Sequence, residues 1–289
     1  MRIATIVYQG QRHVGRLAAS GTAIELFDIN ASHGALPLVQ AAAQGAALPA
    51  IKASVALASV QFLAPLPAPR RNLFCVGRNY HAHAKELRDS VFKDNAKAVD
   101  AWPIVFSKLP ETVVGTGADV LLPGAAVSCQ IDYEAELAIV IGKGGKNIDR
   151  AEALGHVYGY TIVNDVTARD VQMRHSQWHL GKSFDTFCPM GPWLVTAEEM
   201  DGTNTRVRCW VNGELRQDGR TTDLIFDIPT LIETCSRGIT LVPGDVIATG
   251  TPAGVGMGLD PPRWLQHGDM VRIEIDGIGV LENRFVEGV

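Results

Sequence analysis

Apolar and polar positions along this chain change period often and over short distances. Strand-like runs occur at NLFCVG, PIVFSK, DYEAELAIVIG, VYGYTIVNDV, VRCWVNG, DVIATG and MVRIEIDGIGVLENRF, broken by Gly and Pro. Helical periodicity is local, and predicts helices over His81–Ser90, Ala168–Gln177 and Ile228–Arg237, the last with Pro229 tolerated in its first turn. Before these, Ile3–Tyr8 and Ala23–Phe27 read as strands and the Ala-rich Leu36–Ala47 as a helix. PLPAPRRN, Pro65 to Asn72, stiffens the chain with three prolines in five positions and marks a junction. The pattern predicts an α+β, mostly β fold without regular βαβ alternation: a small N-terminal domain over 1–64 and a larger domain over 65–289 that carries the chemistry.

Bulk properties narrow the function classes. The 289 residues suffice for a sizeable core, and 46% hydrophobic with 20% charged residues is ordinary for a folded enzyme. A formal charge of −5 without Lys or Arg runs removes the usual electrostatic reason to bind nucleic acid or an anionic membrane. Cys75, Cys129, Cys188, Cys209 and Cys235 are odd in number and form no C-x-x-C pair, so neither a disulfide framework nor a thiolate zinc site is indicated. With no basic-then-apolar leader at MRIATIVYQG, and no apolar run near the roughly 18 residues of a membrane helix, a cytoplasmic protein is expected.

The strongest chemical signal is Glu134 and Glu136, two apart in an apolar strand pattern, where their side chains share a face. Two buried carboxylates repel and are costly to desolvate unless one is protonated or a cation lies between them. All-oxygen ligands favour a hard ion, Mg²⁺ first, with Mn²⁺ and Ca²⁺ of the same class. The plain alternative is an edge strand with E-x-E facing solvent. Asp165 ends the next apolar run and becomes a third ligand if that strand lies alongside; otherwise it is an N-cap or turn residue.

His83 and Glu86, three apart, share a helix face and form a candidate acid–base pair, though H-x-x-E is also common on exposed helices; His81 lies off that face. The polar stretch Leu87–Trp102 reads as a lid or as a solvated loop. Lys182, ahead of an apolar Pro-rich segment, is a candidate oxyanion or carboxylate partner or else a surface charge. The turn-rich TGTPAGVG can bring backbone N–H groups to a carboxylate or form a plain hairpin; it lacks the G-K-[ST] of a phosphate loop.

Taken in order, CVGRNYHAHAKE, DYEAELAIVIG, GYTIVNDVTARD, GKSFDTFCPMGP, VNGE and TGTPAGVG resemble the fumarylacetoacetate hydrolase family from about Asn72 to Phe285. The resemblance implies a mixed β-roll catalytic domain behind a small N-terminal α/β domain, usually paired as a homodimer. It implies that Glu134, Glu136 and Asp165 hold the metal and that His83 and Glu86 are the catalytic dyad. Lys182 then lies close to the metal, Arg169 and Gln172 line the substrate pocket, and Thr251 contacts the substrate carboxylate. The expected activity is metal-dependent C–C hydrolysis of an acylpyruvate-like 2-oxo acid. An isomerase, hydratase or decarboxylase of a 2-oxo diacid in aromatic degradation is the alternative. A non-catalytic, metal-stabilised binding protein is a third reading, from another class.

Overall fold

The computed structural model describes residues 1–90, 102–174 and 176–288, the side chains of 87–90 excepted. Of the candidate lid, Leu87–Trp102, the stretch 91–101 falls outside the described residues. The chain opens with strands β1 (Arg2–Tyr8), β2 (Gln11–Leu17) and β3 (Ala23–Phe27), helix α1 (Leu36–Ala43), and strands β4 (Ile51–Ala56) and β5 (Gln61–Phe62). Helix α1 stops four residues before its predicted end, at Gln44 followed by Gly45 with φ +70°. The left-handed conformation, cheap for Gly, closes it.

Next come β6 (Leu73–Gly77), helix α2 (His81–Ser90), β7 (Ile104–Lys108), β8 (Val113–Val114), β9 (Val120–Leu122), β10 (Ile131–Asp132), β11 (Ala135–Ile141), β12 (Val157–Asn164) and β13 (Thr167–Ala168). Helices α3 (Arg169–Gln172) and α4 (His179–Lys182) lead to β14 (Cys188–Thr196), β15 (Arg206–Val211), β16 (Glu214–Arg220), helix α5 (Ile228–Ser236), β17 (Val246–Ala248), β18 (Met270–Ile275) and β19 (Gly279–Glu287).

Among the described residues, one twelve-stranded mixed sheet runs β4-β3-β2-β1-β14-β12-β11-β17-β6-β7, with β5 beside β1 and β8 beside β14. A five-stranded sheet, β16-β15-β18-β19-β9, packs across it. The sequence patterns explain the layering. In β18, MVRIEI, every second residue is buried, as expected with one face on the core and one toward solvent. In β11, AELAIVI, every residue is buried. Leu137, Ile139 and Ile141 join the core between the sheets, while Ala138 and Val140 join a second core with α1 residues Leu36, Leu38 and Val39. A strand covered on both faces reads as an unbroken apolar run, and Glu136 within it is buried.

Two departures from the sequence pattern matter for the site. The helix predicted over Ala168–Gln177 lasts a single turn, α3, before the chain turns back into α4. Gly181 permits this reversal, because a Cβ there would lie 2.6 Å from the Gln172 nitrogen. The Pro-containing CPMGPWLVT, not predicted as a strand, is a wholly buried one in mid-sheet. It pairs with β1, through Ile3 and Leu194, as well as with β12.

Candidate active site

The rim where β12, β17 and β6 end and β11 begins carries most of the candidate side chains. The registers Glu136↔Val163, Ala138↔Ala248 and Ala248↔Cys75 place these ends side by side. Glu134 sits in the two-residue gap between β10 and β11, where its N–H donates to the Asn164 side chain at 3.0 Å. Asp165 follows β12, and its N–H donates to the Glu134 carbonyl at 2.9 Å. One carboxylate oxygen from each of Glu134, Glu136 and Asp165 therefore lies within 4.8 Å of the other two. All three residues are buried.

Three cations pair with the cluster. The Lys182 ammonium, at the end of α4, donates to Glu134 Oε2 at 2.8 Å and Asp165 Oδ2 at 2.6 Å. Lys108, absent from the sequence-based candidates, is fully buried and donates to Asp165 Oδ1 at 2.8 Å, to the Val166 carbonyl at 3.0 Å and to the Lys182 carbonyl. Arg169 bridges Glu134 Oε1 at 2.7 Å and Asp132 Oδ2 at 2.9 Å, with Gln172 Oε1 at 3.2 Å. Its guanidinium lines the pocket while held by internal carboxylates. Asp132 also accepts the N–H groups of Gly256 at 2.7 Å and Met257 at 3.0 Å, fixing the glycine-rich loop.

The electrostatics separate the two glutamates. Burial would raise the pKa of Glu134, but Lys182, Arg169 and His83 outweigh it and hold the carboxyl well below the usual range. Glu136 goes the other way. Burial, then the charges of Asp165 and Glu134, raise its pKa well above the carboxylate range against weaker pulls from Lys182 and the Gly250 N–H at 2.9 Å. In formal charge, Glu134, Asp165 and Asp132 balance Lys108, Lys182 and Arg169, and a protonated Glu136 leaves the cluster neutral. A dication displacing that proton leaves one net positive charge. The donor set of three hard oxygens converging from two neighbouring strand ends fits such an ion.

This assignment has a pH signature. A carboxyl whose native pKa is raised holds a proton that the unfolded chain has lost. Its contribution is thus present below about pH 4.3 and lost as pH rises from there through the elevated native value. We expect metal-free protein to lose stability over that window and Mn²⁺ uptake to release close to one proton per ion. Glu136→Gln should remove both effects, measurable by thermal denaturation and by calorimetry in buffers of different ionisation enthalpy. Proton release unchanged in Glu136→Gln would refute the assignment.

The dyad closes the other wall. His83 is 3% exposed, and its Nδ1 lies 3.0 Å from Glu86 Oε2. Glu86 Oε1 accepts the Gly254 N–H at 3.0 Å, so the glycine-rich loop orients the carboxylate that orients the imidazole. His81 is exposed and outside the pocket. Gly258 packs so tightly on Glu86 that an added Cβ would overlap its carboxyl group. Gly258→Ala should therefore displace Glu86 and lower kcat between about 10- and 100-fold, with Tm nearly unchanged because only a side-chain end must move. An unaltered kcat would show that Glu86 does not orient the base.

His83, Glu134, Glu136, Arg169, Gln172, Lys182 and Thr251 all line one pocket enclosing about 380 Å³ of empty space, part of it open to solvent. Every sequence-predicted site residue thus borders the same volume except Glu86, which stands behind His83, and Asp165, which reaches the site through Lys182 at 2.6 Å. Thr251 Oγ1 accepts from Gln217 Nε2 at 2.7 Å, which leaves the threonine O–H as a donor toward the pocket. Arg78, Phe106, Trp178 and Met257 complete the wall and were not anticipated. The VNGE motif lies elsewhere, at the exposed turn between β15 and β16. Burial pushes the Cys188 thiol up to about 12 and raises that of Cys75 well above its ordinary range, and neither lines the pocket.

Comparison with known proteins shows the family and the fold. The sequence model of the fumarylacetoacetate (FAA) hydrolase C-terminal domain matches residues 72–286. Oxaloacetate tautomerase YisK of Bacillus subtilis is 50% identical over 229 residues, spanning 79% of this chain and 74% of that protein. Among solved structures, the fumarylacetoacetate hydrolase of Exiguobacterium antarcticum superposes over 100% of both chains with a TM-score of 0.85 and 39% identity. The 5-carboxymethyl-2-hydroxymuconate delta-isomerase of Mycobacterium smegmatis does so with 0.80 and 35%, again over 100% of both.

Proposed function

Because the chain belongs to the fumarylacetoacetate hydrolase family, we propose that it is a tautomerase or isomerase of a short 2-oxo diacid, with oxaloacetate as the first candidate. This reverses the order expected from sequence, where hydrolysis of an acylpyruvate led and an isomerase, hydratase or decarboxylase of a 2-oxo diacid was the alternative. The tautomerase and isomerase names of similar proteins support the reversal. The His83–Glu86 pair suits either reaction, because a carboxylate-oriented imidazole can accept a proton from carbon as well as from water.

The observation that carries the reading is the juxtaposition of His83 with the three-carboxylate cluster across one pocket. Glu134, Glu136 and Asp165 would hold a divalent cation, Mg²⁺ or Mn²⁺, whose Lewis acidity polarises a 2-oxo group and stabilises enolate charge. The one net positive charge left on the loaded cluster favours an anionic substrate, and Thr251 O–H is placed to donate to a carboxylate. Glu86 occupies His83 Nδ1, leaving Nε2 as the nitrogen that exchanges protons with the substrate. In the keto-to-enol direction His83 takes a proton from C3, the C3–H pair becomes the C2–C3 double bond, and the former keto oxygen gains a proton to become the hydroxyl. No atom is lost or gained overall. Glu86 balances the transient imidazolium, and Lys182, clamped by Glu134 and Asp165, adds positive charge beside the developing enolate.

The test is the decay of the ultraviolet absorbance of enol-oxaloacetate by chelator-treated protein before and after addition of Mn²⁺, set against pyruvate release from acetylpyruvate. Metal-restored acceleration above the spontaneous rate is the expected result. Pyruvate release without any tautomerisation would return the assignment to hydrolysis.

A further inference from the structure

One wall of the pocket is a ladder of aromatic rings with a cation at each end. At the inner end the Lys182 ammonium lies 4.8 Å from the Phe106 ring centre. Phe106 meets Trp178 edge to face, 5.3 Å between centres at 62°. Beyond it the Arg78 guanidinium lies over the Trp178 ring, 5.9 Å from its centre. Both rings and both cations border the same volume.

The outer rung is built into the fold. Trp178 packs directly on Gly77, where an added Cβ would fall 2.9 Å from Cη2 and closer still to Cζ3. Arg78 has φ +54°, a left-handed backbone that a non-glycine residue keeps only where its surroundings hold it. The next residue does the holding: Asn79 donates to the Thr249 carbonyl at 2.8 Å and the Phe226 carbonyl at 3.0 Å, and accepts the Phe226 N–H at 2.8 Å. The strained backbone and the tryptophan together hold the guanidinium, which has five N–H donors, at the pocket wall. A guanidinium matches a carboxylate in two parallel hydrogen bonds.

We infer that Arg78, stacked on Trp178, forms a second carboxylate subsite that selects 2-oxo diacids over 2-oxo monoacids. The inference deepens the proposed function and rests on its placing the 2-oxo acid end of the substrate at the carboxylate cluster. Arg78 is then a specificity-determining residue whose contact is with the part of the substrate that does not react.

Unreactive probes separate this subsite from the chemistry. Malate and 2-hydroxybutanoate differ only in the far group, carboxylate against methyl, and neither tautomerises. Calorimetry on Mn²⁺-supplemented protein should show malate bound roughly 10- to 100-fold tighter than 2-hydroxybutanoate, the range of a hydrogen-bonded charge pair. In Arg78→Gln the two should bind within about threefold of each other, with 2-hydroxybutanoate unchanged from wild type, while Arg78→Lys should keep part of the preference. Equal weakening of both probes in Arg78→Gln would make the residue merely structural and overturn the inference, as would an undiminished malate preference. A wild-type malate preference lost in Arg78→Gln, in a protein that fails to tautomerise oxaloacetate, would sustain the subsite and reject the reaction assigned above.

Discussion

Asp165→Asn is expected to abolish measurable Mn²⁺ binding and turnover and to lower Tm by roughly 10 °C. The two effects share one cause. Asp165 is wholly buried and accepts Lys182 at 2.6 Å on one oxygen and Lys108 at 2.8 Å on the other. Asparagine keeps the shape but removes the charge, and its amide turns one acceptor into a donor facing an ammonium. Breaking a buried ion pair by removing one partner costs about 3–5 kcal/mol, because the remaining charge cannot return to water. For a chain of this size that corresponds to a Tm shift on the order of 10 °C. Cation binding suffers separately, since one of three converging oxygens no longer carries charge. Titration of the folded variant with Mn²⁺, at a temperature well below its transition, isolates the second effect. Affinity within threefold of wild type would remove Asp165 from the ligand set.

His83→Gln is expected to lower kcat by roughly 10²- to 10⁴-fold, the usual contribution of a positioned acid–base group, while Mn²⁺ affinity and Tm stay near their wild-type values. Glutamine is close in length to histidine and can still donate to Glu86 from its amide, so the helix and the Glu86–Gly254 contact survive. What it lacks is a nitrogen that takes up and returns a proton. A large kcat loss at constant metal content therefore assigns proton transfer to His83 and separates it from Asp165, whose loss removes the ion. If kcat fell less than about threefold, proton transfer would belong to another group, and Lys182 would be the next to test.

How much of this was legible in the chain depended on the range of the interaction involved. Helix α2 was readable to its ends, and strands β6, β7, β12 and β15 nearly so, because periodicity and turn residues act over a few positions. The Ala168–Gln177 segment failed as a prediction for the opposite reason. Its local pattern suits a longer helix, but the close approach of Gly181 to Gln172 bends the chain to bring Trp178 and Lys182 into the pocket. CPMGPWLVT failed similarly. Its prolines argue against a central strand, yet pairing with β1 and β12 and burial on both faces impose one.

The site divides along the same line. His83 and Glu86 announced themselves through spacing, since three apart on a helix already fixes a shared face; Glu134 and Glu136 did so as paired acids in an apolar run, although Glu134 lies just before β11 and is placed by its N–H bond to Asn164 rather than by a strand pleat. Lys108 and Asp132 sit at the end of PIVFSK and the start of DYEAELAIVIG. Nothing in those motifs reveals that one ammonium will reach Asp165 across 57 positions, or that one carboxylate will hold both Arg169 and the glycine-rich loop. The sequence by itself determined a mostly β chain with acidic, basic and imidazole groups on the right local faces, because those choices are made by backbone geometry within a turn or a pleat. Only the tertiary structure decided that they meet, which glutamate's pKa is raised and which lowered, and which cations answer which anions. Burial and the field of distant charges set those outcomes, and both exist only after the strand ends have been brought to one rim.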